Sequence, residues 1–239
     1  MEEVARQAVY TKATDAEMSI LPRYVRGTTT WLSILHRYEH LLLFDVLLGR
    51  CIEHRNGDKS TVHGTGEELR SGSSFYSNVA VSSGCIMRSG AHYAEFQITG
   101  APFIGVVRPM PGLDASAYRE EFEYFDYGFY PEFLAQKSAD WGNGNVHVCE
   151  YYCGDGQMRW NDWRHDPGWE DWEGMEGCQS GNTVGMLLNL DEGTLAVYIN
   201  NRRLGVMEDG LSGSYCWYTR LSYDQRVTIR RGNLPRHEM

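Results

Sequence analysis

The sequence predicts an all-β fold, an antiparallel β-sandwich or barrel, on three observations. From residue 50 onward, short runs of alternating apolar and polar residues follow one another. Turn residues separate these runs, and no helical pattern alternates with them as a parallel sheet would require. Composition agrees: glycine (26) far exceeds proline (7), and fifteen tyrosines join seven tryptophans, a balance that suits strands and tight turns. A chain of 239 residues, 42% hydrophobic, is long enough for one large domain with a small appendage.

Residues 1–27 carry weak periodicity and predict a flexible, loosely packed lead-in. From Thr28 the pattern changes. Trp31, Ile34, Leu35, Tyr38, Leu41 and Leu42 recur at steps of three and four, the stripe of an amphipathic helix, and Thr28, Thr29 or Thr30 can cap its free amides. In CIEHRNGDKSTVH, Asn56-Gly57 lies between two alternating runs and predicts a β-hairpin. Residues 64–74, rich in glycine and serine, predict a loop.

Strands are then expected at 78–82, 92–99, 104–108, 146–152, 157–160, 183–190, 194–200, 203–206, 217–222 and 226–230. The clearest pair is GNTVGMLLNLDEGTLAVYINNRRLGV. Val184, Met186, Leu188 and Leu190 share one face, as do Leu195, Val197 and Ile199 across a turn in which Gly193 supplies the left-handed residue. Asn200-Asn201 turns the chain again, since asparagine tolerates positive φ.

The net charge of −10 is unevenly placed. Residues 120–176 hold fourteen acids against three bases, and the rest of the chain is nearly neutral. An acidic block repels phosphate backbones and anionic membranes, which argues against nucleic-acid and membrane partners and favours a basic one. Its bland reading is a solvated surface. Six cysteines lack a disulfide-framework spacing and the N-terminus shows no secretory signal, so reduced thiols in an intracellular, cytoplasmic setting are expected. The apolar run 41–48 is too short to span a bilayer.

Several stretches resemble the SPRY domain. RSGAHYAEFQI is similar to the family's Gly-x-His-Tyr-Trp-Glu strand, and FIGVVRP to the strand that follows. SGNTVGMLLNLDEGTLAVYINNRRLGV resembles the signature stretch, and GSYCWYTRLSYDQRVTIR the closing strands. Ala94, Asn189 and Asn201 depart from the tryptophan, aspartate and glycine common there, and Ala94 leaves core volume to be filled. The resemblance covers 74–231 and implies an antiparallel sandwich there; the helix and hairpin extension (28–73) before it and the short tail (232–239) after it lie outside the resemblance. It also implies a protein-interaction module, of the kind found beside effector regions such as ubiquitin-ligase components and used for substrate recognition or scaffolding.

Catalysis is not expected. WNDWRHDPGWEDWEGMEG, residues 160–177, holds four tryptophans and six carboxylates, the materials of a glycosidase cleft or a lectin. A glycosidase needs two carboxylates held across a cleft, whereas Glu170, Asp171 and Glu173 crowd one loop. His147, Cys149 and Cys153 alternate on one candidate strand but lack a second ligand pair for zinc. No phosphate-cradling loop or nucleophile elbow appears, and no cofactor or metal is expected.

Binding is better supported. If successive strands run antiparallel, segments 109–145 and 161–182 leave the sandwich at the same end, with the turn before Arg202 sharing that parity. Their aromatics include Tyr118, Tyr124, Tyr127 and Tyr130. The expected contact residues are Trp163, Trp169, Trp172, Asp166, Glu170, Asp171, Tyr124, Tyr127 and Arg202, facing a protein or peptide. Trp160, ending a strand, reads as core. Trp163 and Trp172 also suit an anchoring role under their own loop, and Tyr124 and Tyr127 a buried one. Trp169, beside Pro167-Gly168, is the one read as exposed. A lectin that stacks sugars on the tryptophans is the alternative, and a structural domain that buries the helix 28–43 is a third reading.

Overall fold

The computed structural model describes residues 1–13, 17–18, 21–65, 77–118, 120 and 122–232. Two antiparallel sheets form a sandwich. In spatial order the six-stranded sheet comprises β1 (Val46–Leu48), β4 (Asn78–Met87), β12 (Tyr215–Leu221), β6 (Phe103–Val107), β7 (Val148–Tyr152) and β8 (Met158–Asn161). The seven-stranded sheet comprises β11 (Arg202–Glu208), β10 (Thr194–Ile199), β9 (Thr183–Asn189), β5 (Ala91–Thr99), β13 (Arg226–Arg231), β3 (Asp58–Gly64) and β2 (Ile52–Arg55).

The strands follow from the alternating runs. β9 and β10 pair as expected, Leu188 opposite Leu195 and Met186 opposite Val197. Gly193 has φ 72°, and Asn189 accepts the amides of Asp191 and Glu192, a role its amide oxygen fills as an aspartate would. Asn56 and Gly57 both have positive φ, giving the β2–β3 hairpin the twist its strands require. That hairpin joins the sandwich directly, because β3 pairs with β13 with Val62 opposite Val227. β4 runs five residues past its expected end because its pairing with β12 continues, through a register shift, to Met87 opposite Tyr215.

Two cores result. Between the sheets lie Val62, Phe96, Ile104, Val106, Met186, Leu188, Val197, Trp217 and Val227. Ala94 belongs to this cluster, whose tryptophan comes instead from the facing sheet: Trp217 packs edge-on against Phe96. The second core covers the outer face of the six-stranded sheet, where Val79, Val81, Val107, Val148, Cys216 and Tyr218 meet aromatics from the long connections. Burial on both faces explains why β12 and β7 show no polar alternation, with Glu150, Thr219 and Arg220 their polar residues.

The N-terminal part differs from expectation. Within the 1–27 lead-in, Glu2–Lys12 form a helix, α1, and α2 is Trp31–Glu39, capped by Thr30, which accepts the Ser33 amide. The two pack through Val9, Ile34 and Tyr38. Among its described side chains α1 buries Ala5 and Val9, one turn apart, a stripe too small to register as periodicity. At the end of β13, Arg231 hydrogen-bonds Glu17 and lies 3.9 Å over the Tyr38 ring, tying the helices to the sandwich. The loop expected over 64–74 lies outside the described residues from 66 onward, as does the tail beyond 232. Among the described residues no helix is long and apolar enough to cross a membrane.

Candidate binding site

The register places the long connections. β6 pairs with β7, Val107 opposite Val148, and β7 with β8, Val148 opposite Asn161. Segments 109–145 and 161–182 therefore leave the six-stranded sheet at one end, and among the described residues no strand falls inside 109–145. They do meet there, but as packed structure. The first segment folds back over the sheet's outer face and forms one short helix, α3 (Tyr130–Ala135). Trp163 from the second inserts under it, 4.9 Å from the Phe133 ring and 5.6 Å from Trp141, donating its indole N–H to the Tyr124 carbonyl.

Trp163 is 1% exposed and Tyr124 2%, so the contact role expected for both gives way to a core role. Tyr118 and Tyr130 are buried with them. The reason is shared. A loop of this length across an apolar sheet face must supply its own cover, and aromatics bury the most area per residue.

The second segment then turns back along β8. Glu170 bridges to Met158, and Trp172, half-buried against the main core, donates to the Gly156 carbonyl at 2.7 Å. Trp160, on β8, is likewise half-buried against that core. This path carries Trp169 to the far end of the same sheet face, where its ring meets Phe103 at 5.8 Å and Tyr152 at 6.1 Å. Trp169 is 47% exposed.

Beneath Trp169 lies an ion network. Glu150, fully buried on β7, is held by Arg220 at 2.7 Å and Arg159 at 2.8 Å, and the Tyr218 hydroxyl donates to it at 2.7 Å. Glu123 from the covering segment pairs with both arginines at 3.3 Å. Burial alone would raise the Glu150 pKa, but the two arginines and the hydrogen bonds outweigh it and hold the carboxyl below its ordinary value. The guanidinium carbons lie over aromatic rings: Arg159 over Phe125 at 3.8 Å and Trp169 at 4.8 Å, Arg220 over Phe103 at 3.5 Å.

A groove of about 490 Å³ opens over this network, lined by Phe103, Phe122, Glu123, Asp126, Tyr152, Arg220 and Tyr223 among others. Tyr223 is 47% exposed, and Tyr127, beside Asp126, is 57% exposed. Asp166, Glu170 and Asp171 are exposed on the second segment, Asp171 accepting from Gln157 at 3.0 Å. Among the described residues no lysine or arginine pairs with Asp126, Glu170 or Asp171. Arg202 lies elsewhere, at the start of edge strand β11, paired with Glu176 at 2.6 Å.

The structure thus brings Trp169 together with Phe103, Tyr152, Tyr223, Arg159, Arg220 and Glu150, none of which the sequence reading selected. One signal was present. Glu150 stands between Cys149 and Tyr151, and Arg220 between Thr219 and Leu221, charges inside otherwise apolar strands. Such charges need partners. His147, expected to share a face with Cys149 and Cys153, packs instead between Trp141 and Trp163, while the cysteines point into the main core. Among the described residues no His, Cys, Asp or Glu cluster could hold a metal ion.

No family model matches the sequence, and no curated protein matches it. Among solved structures, the SPRY domain of human HERC1 matches with a TM-score of 0.50 at 12% identity, over 83% of this chain and 99% of that one. The TRIM65 PSpry domain matches at 0.48 and 16% identity, over 87% and 98%. A further human SPRY domain matches at 0.44 and 16% identity, over 75% and 96%. With the sheet order above, the HERC1 match across nearly that whole domain leads to one conclusion: this chain has the SPRY fold.

Proposed function

We propose that the chain is a non-catalytic protein-interaction module that takes a peptide or a folded partner on the groove bordered by Trp169, Tyr127 and Tyr223. One observation carries this reading. Exposed Tyr223 lines the groove, exposed Trp169 packs on Phe103 and Tyr152 of its lining, and exposed Tyr127 follows Asp126 of its lining in the chain. Aromatic side chains give large contact area at low entropic cost and dominate interface hot spots. The carboxylates Asp126, Glu170 and Asp171, with which no lysine or arginine pairs among the described residues, and Asp166 beyond them favour a basic partner and act on encounter rate more than on residence time. A scaffold or substrate-recognition role in a reducing, intracellular compartment fits the SPRY fold and the cysteine usage.

The test compares affinity capture by wild type, Trp169→Ala and Glu170→Lys/Asp171→Lys, with mass spectrometry of what is retained. Capture should be lost with Trp169→Ala and become less salt-dependent with the charge reversals, while the unfolding midpoint barely moves. Partners retained at full strength by both variants would place the interface elsewhere. The exposed indole also suits a sugar face. Saturable, salt-insensitive binding to a glycan array, lost with Trp169→Ala, would replace the protein partner with a carbohydrate.

A further inference from the structure

At the end of β7 the chain brings two thiols together. The Cys178 amide donates to the Cys153 carbonyl at 2.7 Å, and the Cys153 amide donates to Pro102 at 3.0 Å, which sets the two cysteines side by side. The Tyr151 hydroxyl lies 3.3 Å from the Cys178 sulfur and also bonds the Glu176 carbonyl. Cys178 is half-buried and Cys153 fully buried. Both are free thiols, and the segment between them contains β8 and Trp160, Trp163, Trp169 and Trp172. We propose that Cys178 is a hydroperoxide-reactive thiol and Cys153 its resolving partner, closing a reversible disulfide at the root of the tryptophan-bearing segment.

The two thiols differ in the sense this chemistry needs. The neighbouring Cys153 thiol and the Tyr151 hydroxyl hold Cys178 below the ordinary thiol pKa despite burial, while burial keeps Cys153 well above it and protonated. As a thiol, Cys178 can donate to Tyr151, which donates to Glu176. As a thiolate, it accepts a hydrogen bond from the Tyr151 hydroxyl instead. The thiolate attacks one peroxide oxygen: an S–O bond forms, the O–O bond breaks, sulfur loses two electrons, and the released hydroxide takes a proton to become water. Cys153 then attacks the sulfenic sulfur. The S–S bond forms as the S–O bond breaks, and the departing hydroxide leaves as water with the Cys153 proton. Two thiols and one hydrogen peroxide give one disulfide and two waters. Cys85, Cys149 and Cys216 are buried and pushed up by burial, so they do not compete.

The reduced full chain is exposed to hydrogen peroxide and digested without reductant. The expected product is a cross-linked peptide two hydrogens lighter, with fragment ions placing the bridge at Cys153 rather than Cys149, reversed by dithiothreitol. Cys178→Ser should abolish it. Cys153→Ser should leave a sulfenic acid at Cys178, trapped by a dimedone probe. Because Cys153→Ser disturbs a buried site, iodoacetamide labelling of the wild type gives a second reading: Cys178 should react faster than half-buried Cys51. Cys51 reacting first, or Cys178 oxidising without linkage to Cys153, overturns the proposal. Partner capture is not involved, so this result and the binding reading stand or fall separately.

Discussion

Trp163 and Trp169 sit six residues apart in one acidic stretch and have opposite fates. Trp163 adopts φ 54°, a conformation that bulky residues rarely take, and is enclosed by Phe133, Trp141, Tyr124 and His147. Trp169 rests on Arg159, Phe103 and Tyr152 with nearly half its surface open. The difference lies in what covers them. Segment 109–145 crosses the sheet face over Trp163 and leaves the groove open beside Trp169. An aromatic within a charged loop is an interface residue only where no other segment claims it.

The largest effects should come from the network beneath that boundary. Glu150→Ala removes the buried carboxylate that Arg220 and Arg159 share, leaving them only Glu123 at 3.3 Å, and should cost about 3–5 kcal/mol in urea unfolding. Trp163→Ala opens a cavity in the second core and should also cost about 3–5 kcal/mol. Trp169→Ala should cost under about 1 kcal/mol, mainly a partly exposed cation–π contact. A large loss at Trp169, or a small one at Trp163, would break the comparison.

The two halves should also answer pH with opposite signs. His147, beside Trp163, is pushed down to about 4, by burial first and then by the Arg108 charge. Between its ordinary 6.5 and that value the unfolded chain holds the proton and the folded one does not, so stability falls as pH falls through this window. His147→Phe should flatten that acid limb. Glu208 on β11 is pushed up to about 7, by burial first, with Glu170, the neighbour of Trp169, adding to it. Its folded form holds the proton that the unfolded chain has released, so stability is lost as pH rises from 4.5 towards 7. Glu208→Gln should raise the urea midpoint at pH 8 and leave it unchanged at pH 4.5.

The smallest effect is expected at Arg202. Its pair with Glu176 is exposed on both sides, so Arg202→Ala should change stability by under about 1 kcal/mol. Lying on an edge strand of the other sheet, it should leave partner capture intact. Lost capture would extend the interface around the sandwich edge and blur the contrast between the two tryptophans.

What could be read in advance was local. The β9–β10 pair and the β2–β3 hairpin follow from period-two patterning and from residues that tolerate positive φ, so the strands and most of their bounds are legible in sequence. The exposure of Trp169 was legible too, from Pro167-Gly168 beside it. α1 was not, because its buried stripe is two small residues, Ala5 and Val9. Nor was the burial of Tyr124 and Trp163, since each depends on a segment distant in sequence. The groove itself required Glu123, Glu150, Arg159 and Arg220 to converge from four parts of the chain. The sequence by itself determined the strands other than β1, their turns and the loop worth testing. Only the tertiary structure decided which aromatics that loop buries, because burial belongs to the pair of surfaces that meet and not to either segment alone.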